Sequence, residues 1–262
     1  MKIKKVANQT RIRIGLFGFG KTGRLVAEEF FQDGQFDLEW VVRKTHKEHH
    51  KYASRLLGYE VDDARVFSVD ESTPDFYRRH PVDIIVDFSS AAAHRQYAPA
   101  ADFGIRIISA ISKYRAEDLE DLKRMSEKTA VLYSPNITLG INFLLVASQI
   151  LQGIAPHADI EIVEEHFRGK KEESGTALKI AEILGLEKER RVNSIRVGGI
   201  VGKHEIIFGL PNQTIRLVHE SISRAAFGQG AIFAAKWLIH APPGLYSKNI
   251  IVDMFKKNIP VY

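Results

Sequence analysis

The stretch RIRIGLFGFGKTGRLVAEEFFQDG, residues 11–34, decides the fold. Its first part has the apolar pattern of a strand, and its last part has apolar residues at helical spacing. Between them stands G-x-G-x-x-G, formed by Gly18, Gly20 and Gly23. In a dinucleotide-binding turn these glycines allow the tight turn, the approach of the pyrophosphate and close helix packing. The order of strand, glycine turn and helix therefore predicts a nucleotide site, although a glycine-rich turn that binds nothing would show the same pattern.

Strands and helices continue to alternate as far as Asn136. Further strands are predicted in FDLEWVVRK (36–44), VDDARVFSV (61–69), VDIIVDFSS (82–90), IRIISAIS (105–112) and TAVLYSPN (129–136), and helices over 91–104 and 115–128. Continuous apolar runs such as VDIIV are typical of strands that are covered on both faces. We therefore predict an α/β dinucleotide-binding domain over residues 1–137, with a doubly wound parallel sheet of the Rossmann type.

The pattern changes after residue 137. A long apolar helix is predicted over 137–156, and we expect it to be buried between domains. Four strands with only one short helix among them follow over 158–223, then a helix over 225–240 and a closing segment over 241–255. This pattern predicts a second, α+β domain built on a mixed or antiparallel sheet, residues 138–225. We expect residues 226–262 to return to the first domain.

The end of the second predicted strand indicates which dinucleotide is used. A site that prefers NAD often carries Asp or Glu there, to bond the ribose 2′-hydroxyl. This chain has Arg43 and Lys44 instead. Because cationic side chains suit the 2′-phosphate of NADP, we predict NADPH as the cofactor, with NADH as a possible alternative. A basic cluster on the surface would give the same sequence.

Composition narrows the class of protein. The chain has 262 residues and no cysteine, which excludes disulfides, a thiolate nucleophile and a cysteine-ligated metal. The net charge is +5, and the lysines and arginines are scattered along the chain and interleaved with aspartates and glutamates. We therefore expect a mildly basic enzyme with an anionic ligand and no nucleic-acid partner. No apolar run is long enough to span a membrane, so we expect no membrane association and a cytoplasmic location. His46, His49 and His50 have few acids nearby, so we expect a solvated helix start and no metal site.

The loop EEHFRGKKEESGTA, residues 164–177, joins a predicted strand to a short helix. His166 offers an imidazole that titrates near neutral pH, and Lys170 offers an ammonium group. Ser174, Gly175 and Thr176 stand at the helix start, where free backbone N–H groups favour an anion. We predict an anion-binding and proton-donating site here, although a solvated charged loop with an ordinary helix cap is the alternative.

The whole chain resembles the dihydrodipicolinate reductase family. The resemblance lies in GFGKTGR (18–24), VDFSS (86–90), SPNITLGIN (134–142), EEHFRGKKEESGTA (164–177), SIRVGGIVGKHEIIF (194–208) and SRAAFGQGAIFAAKWL (223–238), with PPGLY (242–246). Motifs and resemblance together imply cofactor contacts at Gly18, Phe19, Gly20, Lys21, Thr22, Gly23, Arg43, Lys44, Phe88, Ser89, Ser109, Ser112 and Asn136. They imply substrate contacts at Phe167, Ser174, Gly175, Thr176 and Arg224.

The resemblance also implies a mechanism and an assembly. A cyclic, unsaturated dicarboxylate would accept a hydride, with His166 or Lys170 supplying the proton and Lys170 stabilising negative charge. The reaction would belong to the diaminopimelate route to lysine. A homotetramer built through the sheets of the second domain is expected.

The chain departs from the family pattern at three places. The second histidine of the family's pair is Phe167 here, and the family's Asp-Ala-Pro is replaced by Glu172-Glu173. The family's Gly-Thr-Thr-Gly is Ser109-Ala110-Ile111-Ser112. Two other functions therefore stay open: a reductase of the same fold that acts on a different small imine or keto acid, and a nucleotide sensor without catalysis.

Overall fold

The structure is a computed structural model that describes residues 11–46, 48, 51–247 and 250. The described chain divides into two compact units. The first unit comprises the residues up to Ile137 together with Phe227–Ile250, and the second comprises Thr138–Ala226. Among the described helices, none combines the length and the apolar character that crossing a membrane requires.

Strands and helices alternate in the first unit and cluster by type in the second. In chain order they are β1 (Ile12–Phe17), α1 (Lys21–Gln32), β2 (Phe36–Arg43), α2 (Ala53–Leu56), β3 (Arg65–Ser68), α3 (Pro74–Arg79), β4 (Ile84–Asp87), α4 (His94–Tyr97), β5 (Arg106–Ser109), α5 (Ala116–Ser126), β6 (Ala130–Tyr133), α6 (Leu139–Ile154), β7 (Asp159–His166), α7 (Gly175–Ile183), α8 (Lys188–Arg191), β8 (Val192–Arg196), β9 (Gly202–Leu210), β10 (Gln213–Ser221), α9 (Ala225–Leu238) and β11 (Gly244–Tyr246).

The first unit is built on a seven-stranded sheet in the order β11-β6-β5-β4-β1-β2-β3. Every pairing in it is parallel. Side chains of its central strands are fully buried, and one apolar cluster covers each face. Residues such as Ile14 and Ile85 have no exposed surface, as expected for strands between two helix layers. The predicted doubly wound sheet is confirmed, with its carboxyl ends at one edge.

The second unit is built on a four-stranded mixed sheet in the order β10-β9-β7-β8. β7 pairs antiparallel with β9 and parallel with β8, because α7 and α8 form the crossover from β7 to β8. Alternate residues of β7 and β9, including Ile160, Ile162, Ile206 and Phe208, pack with α6 and α7 into one core. The predicted α+β unit with a mixed sheet is confirmed.

Local structure differs from the sequence expectations at four places. Residues 91–104 form a short α-helix between two 3₁₀ segments, because Pro99 cannot donate the bond that a continuous helix needs there. The sequence predicts no strand in the closing segment, yet β11 pairs with β6. α6 is only partly buried, because one face packs on the sheet while Phe143 and Ile154 on the other are 52% and 74% exposed. His46 is not at a helix start, since α2 begins only at Ala53; His49 and His50 lie outside the described residues.

Candidate functional site

The glycine turn between β1 and α1 has the backbone geometry that only glycine supplies. Gly18 has φ of +97°, and a Cβ there would lie 2.8 Å from the backbone of Phe88. A Cβ at Gly23 would lie 2.0 Å from the carbonyl oxygen of Gly18. Around Gly20, in contrast, nothing lies within 4 Å of a Cβ position. The turn is therefore tightly packed at Gly18 and Gly23 and open at Gly20. Gly20 precedes the backbone N–H groups at the start of α1, and a bound pyrophosphate requires such an open helix start.

The other predicted cofactor residues of this turn differ in exposure. Phe19 is buried in the core, and the guanidinium of Arg24 lies 4.5 Å above its ring. Lys21 is exposed and Thr22 is partly exposed, both in the first turn of α1. Lys21 and Thr22 can therefore reach a ligand with their side chains, whereas Phe19 offers almost no surface.

A three-residue ion cluster lies at the carboxyl end of β2. Glu48 pairs with Arg43, and both of its carboxylate oxygens accept hydrogen bonds from Arg24 Nη2 at 3.0 Å. Lys44 is exposed beside them. Arg43, for which we predict a contact with a 2′-phosphate, lies at the end of β2, and a carboxylate from the same chain contacts its guanidinium. Sequence reasoning missed Arg24 and Glu48, because these residues are 24 positions apart and become neighbours only in the folded chain.

A buried hydrogen-bond network lies at the carboxyl ends of β4 and β5. Asp87 is fully buried and accepts bonds from Ser89 Oγ at 2.5 Å and Tyr97 Oη at 3.0 Å. Tyr114 Oη lies 2.8 Å from Ser109 Oγ and 3.2 Å from Tyr97 Oη. Burial raises the pKa of Asp87 to about 6, although the bonds from Ser89 and Tyr97 oppose the rise. This network fixes the strand ends on which cofactor contacts were predicted.

The remaining cofactor predictions lie along the same edge of the sheet with unequal access. Ser89 and Ser112 are exposed, and Phe88 and Asn136 are partly exposed. Ser109 has no exposed surface, since its hydroxyl is engaged by Tyr114. The structure therefore brings four of these five side chains to the surface at one edge, whereas Ser109 belongs to the interior.

The first unit also holds a cluster of potential metal ligands. Side-chain atoms of His94, Asp118 and Asp121 lie within 4.8 Å of one another. The two carboxylates are already paired with Arg115 and Arg124. Because the charges are balanced by arginines, this cluster is an ion-pair network that joins α4 to α5.

In the second unit, a buried carboxylate holds the predicted catalytic histidine. Glu164 and His166 are two residues apart on β7, which places both side chains on the same face. Nδ1 of His166 is hydrogen-bonded to Glu164 Oε2. Since a carboxylate only accepts, Nδ1 carries the proton, and Nε2 is the ring nitrogen left for another partner. Gly202 makes room for it, because a Cβ there would lie 3.1 Å from Nε2.

Glu164 stays charged in spite of having no exposed surface. Burial alone would raise its pKa, but bonds from Arg196 at 2.6 Å, from Ser194 at 2.5 Å and from His166 lower the pKa to about 2. Glu164 therefore supplies a fixed negative charge to the imidazole at any ordinary pH. Sequence reasoning missed this role, although the spacing Glu-x-His on one strand was a signal for it.

A second buried histidine supports the start of α7. Nε2 of His204, on β9, lies 2.8 Å from Ser174 Oγ, and that oxygen accepts a bond from the N–H of Ala177 at 3.3 Å. Burial, together with the positive charge that His166 can carry, lowers the pKa of His204 to about 4. His204 is therefore neutral near pH 7, and it was not among the predicted site residues. Gly175 is exposed and Thr176 partly exposed at the same helix start.

The other predicted residues of this unit lie on the surface. Phe167 is 38% exposed directly after His166, and Lys170 is partly exposed three residues further on. The carbonyl oxygen of Lys170 accepts a bond from Arg196 Nε at 3.2 Å. Arg196 therefore contacts both Glu164 and the loop that carries Lys170. Arg224 is exposed between β10 and α9.

These two sets of residues have distinct chemical capacities. The first unit presents an open backbone turn and cations, which suit a dinucleotide. The second presents an imidazole oriented by a carboxylate, an ammonium group and an exposed helix start, which suit proton transfer to an anionic ligand.

Two family models match consecutive parts of the chain. A family model described as "Dihydrodipicolinate reductase, N-terminus" matches residues 12–137, and one described as "Dihydrodipicolinate reductase, C-terminus" matches residues 137–251. The 4-hydroxy-tetrahydrodipicolinate reductase of Syntrophus aciditrophicus is 30% identical and covers 90% of this chain and 96% of its own length. The corresponding protein of Archaeoglobus fulgidus is 31% identical and covers 89% and 96%.

Among solved structures, a dipicolinate-bound dihydrodipicolinate reductase from Paenisporosarcina sp. TG-14 superposes with a TM-score of 0.75 at 20% identity, over 92% of this chain and 100% of its own. An amine dehydrogenase from Mycobacterium smegmatis superposes with a TM-score of 0.61 at 12% identity, over 92% and 96%. At these identities the structures support the fold.

Proposed function

The chain belongs to the dihydrodipicolinate reductase family, and from this premise we propose that it reduces 4-hydroxy-tetrahydrodipicolinate to tetrahydrodipicolinate with NAD(P)H, in the diaminopimelate route to lysine. The observation that carries the proposal is the Glu164–His166 pair. The fully buried carboxylate of Glu164 accepts a hydrogen bond from Nδ1 of His166. Both residues belong to the segment 164–177, which resembles the family signature. A protein that only senses a nucleotide does not need a positioned proton donor.

The second unit supplies the proton and the substrate contacts. The doubly protonated His166 donates its Nε2 proton and becomes the neutral ring that keeps its proton on Nδ1, beside Glu164. Lys170 stabilises the negative charge that hydride addition creates. Gly175 and Thr176, at the exposed start of α7, hold a substrate carboxylate, while Phe167 and Arg224 line the site. Ser174 shapes this helix start from within, since its hydroxyl is engaged by His204 and Ala177. The dipicolinate-bound neighbour supports a dicarboxylate as substrate.

The first unit binds the cofactor. NADPH or NADH, when bound, supplies the hydride. The turn of Gly18, Gly20 and Gly23 holds the pyrophosphate at the start of α1, and Ser89, Ser112 and Asn136 orient the ring at the edge of the sheet. NADPH is preferred over NADH, because Arg43 and Lys44 stand where an NAD site carries an acid.

We infer a homo-oligomer, with a tetramer as the proposed state, and we propose the cytoplasm as its location. The second sheet supports the oligomer, because among the described residues α6 and α7 cover one face of this sheet and no described element covers the other. On the other face Val163, Ile195 and Val218 alternate with charged residues, and the last two are 43% and 52% exposed. A second copy of this face would bury them. Light scattering on the purified protein gives the number of copies, and a monomer would contradict this part.

Oxidation of NADPH in the presence of the condensation product of pyruvate and aspartate semialdehyde tests the function. We expect turnover with this compound and none without it. A second candidate is favoured by Phe167, whose ring replaces a hydrogen-bond donor of the family: a reductase of a different small imine or keto acid. It predicts turnover with another cyclic imine or keto acid and none with the condensation product. Dinucleotide binding without turnover of any of these compounds would support a sensor.

A further inference from the structure

Glu48 has an unusual backbone and two cationic partners. Its φ is +64°, in the left-handed region that non-glycine residues adopt rarely. Its side chain is 16% exposed and lies between Arg24 and Arg43, which are 33% and 17% exposed. The carboxylate of Glu48 therefore has two guanidinium groups as charged partners.

The position of this carboxylate bears on cofactor choice. The end of the second strand is where a dinucleotide site recognises the ribose 2′ group, by an acid for a hydroxyl or by cations for a phosphate. In this chain the strand ends at the cation Arg43, and the acid that contacts it is Glu48, five residues further along the chain. A phosphate and a carboxylate require the same N–H donors of Arg24 and Arg43. Glu48 and a 2′-phosphate therefore compete for one place.

We propose that Glu48 is the residue that sets the balance between NADPH and NADH. With NADH, Glu48 stays on both arginines, leaves neither cation unpaired and accepts a hydrogen bond from the ribose 2′-hydroxyl. With NADPH, the 2′-phosphate displaces Glu48 and takes over its two arginine partners. This proposal rests on the proposed use of NAD(P)H. It makes Glu48 an internal competitor that lowers the affinity for NADPH and raises the affinity for NADH.

Fragments of the cofactor test the proposal without the reaction. 2′,5′-ADP carries the 2′-phosphate, and ADP carries a free 2′-hydroxyl. In Glu48→Gln, calorimetry should show 2′,5′-ADP binding roughly tenfold more tightly and ADP binding a few-fold more weakly, because about one charge-assisted hydrogen bond is regained or lost. NADPH and NADH should follow the same two directions. Glu60→Gln removes the same charge from an exposed position of the first unit and should leave the ratio unchanged.

Two further measurements separate the possible failures. Arg43→Ala should weaken the binding of 2′,5′-ADP and leave the binding of ADP nearly unaffected. This result would support a 2′-phosphate site at Arg43. Crystal structures of the wild type with each fragment should show Glu48 off the arginines with 2′,5′-ADP and on them with ADP. If Glu48 stays on both arginines with 2′,5′-ADP bound, or if Glu48→Gln leaves the ratio unchanged, the proposal is wrong while the reductase function stands. If neither dinucleotide binds, the proposed function itself fails.

Discussion

At the scale of single residues, the chemistry of the second unit depends on the pair of Glu164 and His166. His166→Gln should lower kcat by about two to four orders of magnitude with little change in NADPH affinity, because it removes the proton donor and no cofactor contact. Steady-state kinetics together with NADPH titration measures both effects. An equal loss of cofactor affinity would show that the variant is damaged more widely.

Glu164→Gln tests whether the carboxylate orients and charges the imidazole. The amide can keep the bonds from Ser194 and Arg196 but removes the negative charge beside His166. We expect kcat to fall roughly ten- to a thousandfold with little change in NADPH affinity, since the ring loses the carboxylate that orients its Nδ1. Glu182→Gln, on the exposed face of α7, serves as the control. An equal loss of kcat and of NADPH affinity would assign Glu164 a purely structural role.

Phe167 tests which substrate the site accepts. Its ring is 38% exposed beside His166 and cannot donate the hydrogen bond that a histidine would give to a carboxylate. Phe167→His should therefore lower the KM for 4-hydroxy-tetrahydrodipicolinate, roughly tenfold for one charge-assisted bond. A KM that stays the same or rises would favour a different substrate.

At the scale of elements, the glycines at the start of α1 allow cofactor binding and folding stability to be tested separately. Gly20 has φ of −83° and free space around it, so Gly20→Ala should leave the melting temperature nearly unchanged. The added methyl group should nevertheless weaken NADPH binding at least tenfold, because it fills the space that the pyrophosphate needs. Calorimetric titration and thermal unfolding measure the two properties independently.

Gly23→Ala is the matched comparison in the same helix. Its Cβ would lie 2.0 Å from the carbonyl oxygen of Gly18, so strand and helix must separate. We expect it to destabilise the protein by about 1–3 kcal/mol, the usual cost of overpacking. If Gly20→Ala destabilised the protein as much as Gly23→Ala, the open space at Gly20 would be a packing feature and no ligand site.

The elements differ in whether they can be predicted from the sequence. Strand, glycine turn and helix were predictable from residues 11–34, because apolar periodicity and glycine geometry are local properties. β11 was not, since three residues of strand gain stability only from pairing with β6. Likewise His166 was proposed from its own loop. His204 was not proposed, because the pairing of β9 with β7 brings it near Ser174 and His166. Glu48 was not proposed, because its contacts depend on a left-handed backbone conformation. Such contacts join distant or irregular backbone and leave no periodic signal.

At the scale of the whole molecule, two buried groups, Asp87 and His204, should respond to acid in opposite directions. Asp87 in the first unit has its pKa raised from 3.8 to about 6, so the folded form binds a proton more readily than the unfolded form. Falling pH between 6 and 3.8 therefore adds stability through Asp87. His204 in the second unit has its pKa lowered from 6.5 to about 4, so the unfolded form protonates first. Falling pH between 6.5 and 4 therefore removes stability through His204.

Two variants isolate these contributions. Relative to the wild type, His204→Gln should gain stability as the pH falls from 6.5 to 4, and Asp87→Asn should lose it from 6 to 3.8. Each difference should change by on the order of 1 kcal/mol per pH unit, the limit for one proton being about 1.4. Denaturant unfolding across this pH range measures it, with the exposed His157→Gln as control. Burial also lowers the pKa of His219, in the same unit, so the wild type alone does not separate the two histidines, whereas the difference between His204→Gln and the wild type reports His204. Glu164 adds a loss only below its ordinary pKa of 4.5. A flat difference between His204→Gln and the wild type from pH 6.5 to 4.5 would mean that His204 protonates equally in both states, and its buried contact with Ser174 would then have to be accessible to water.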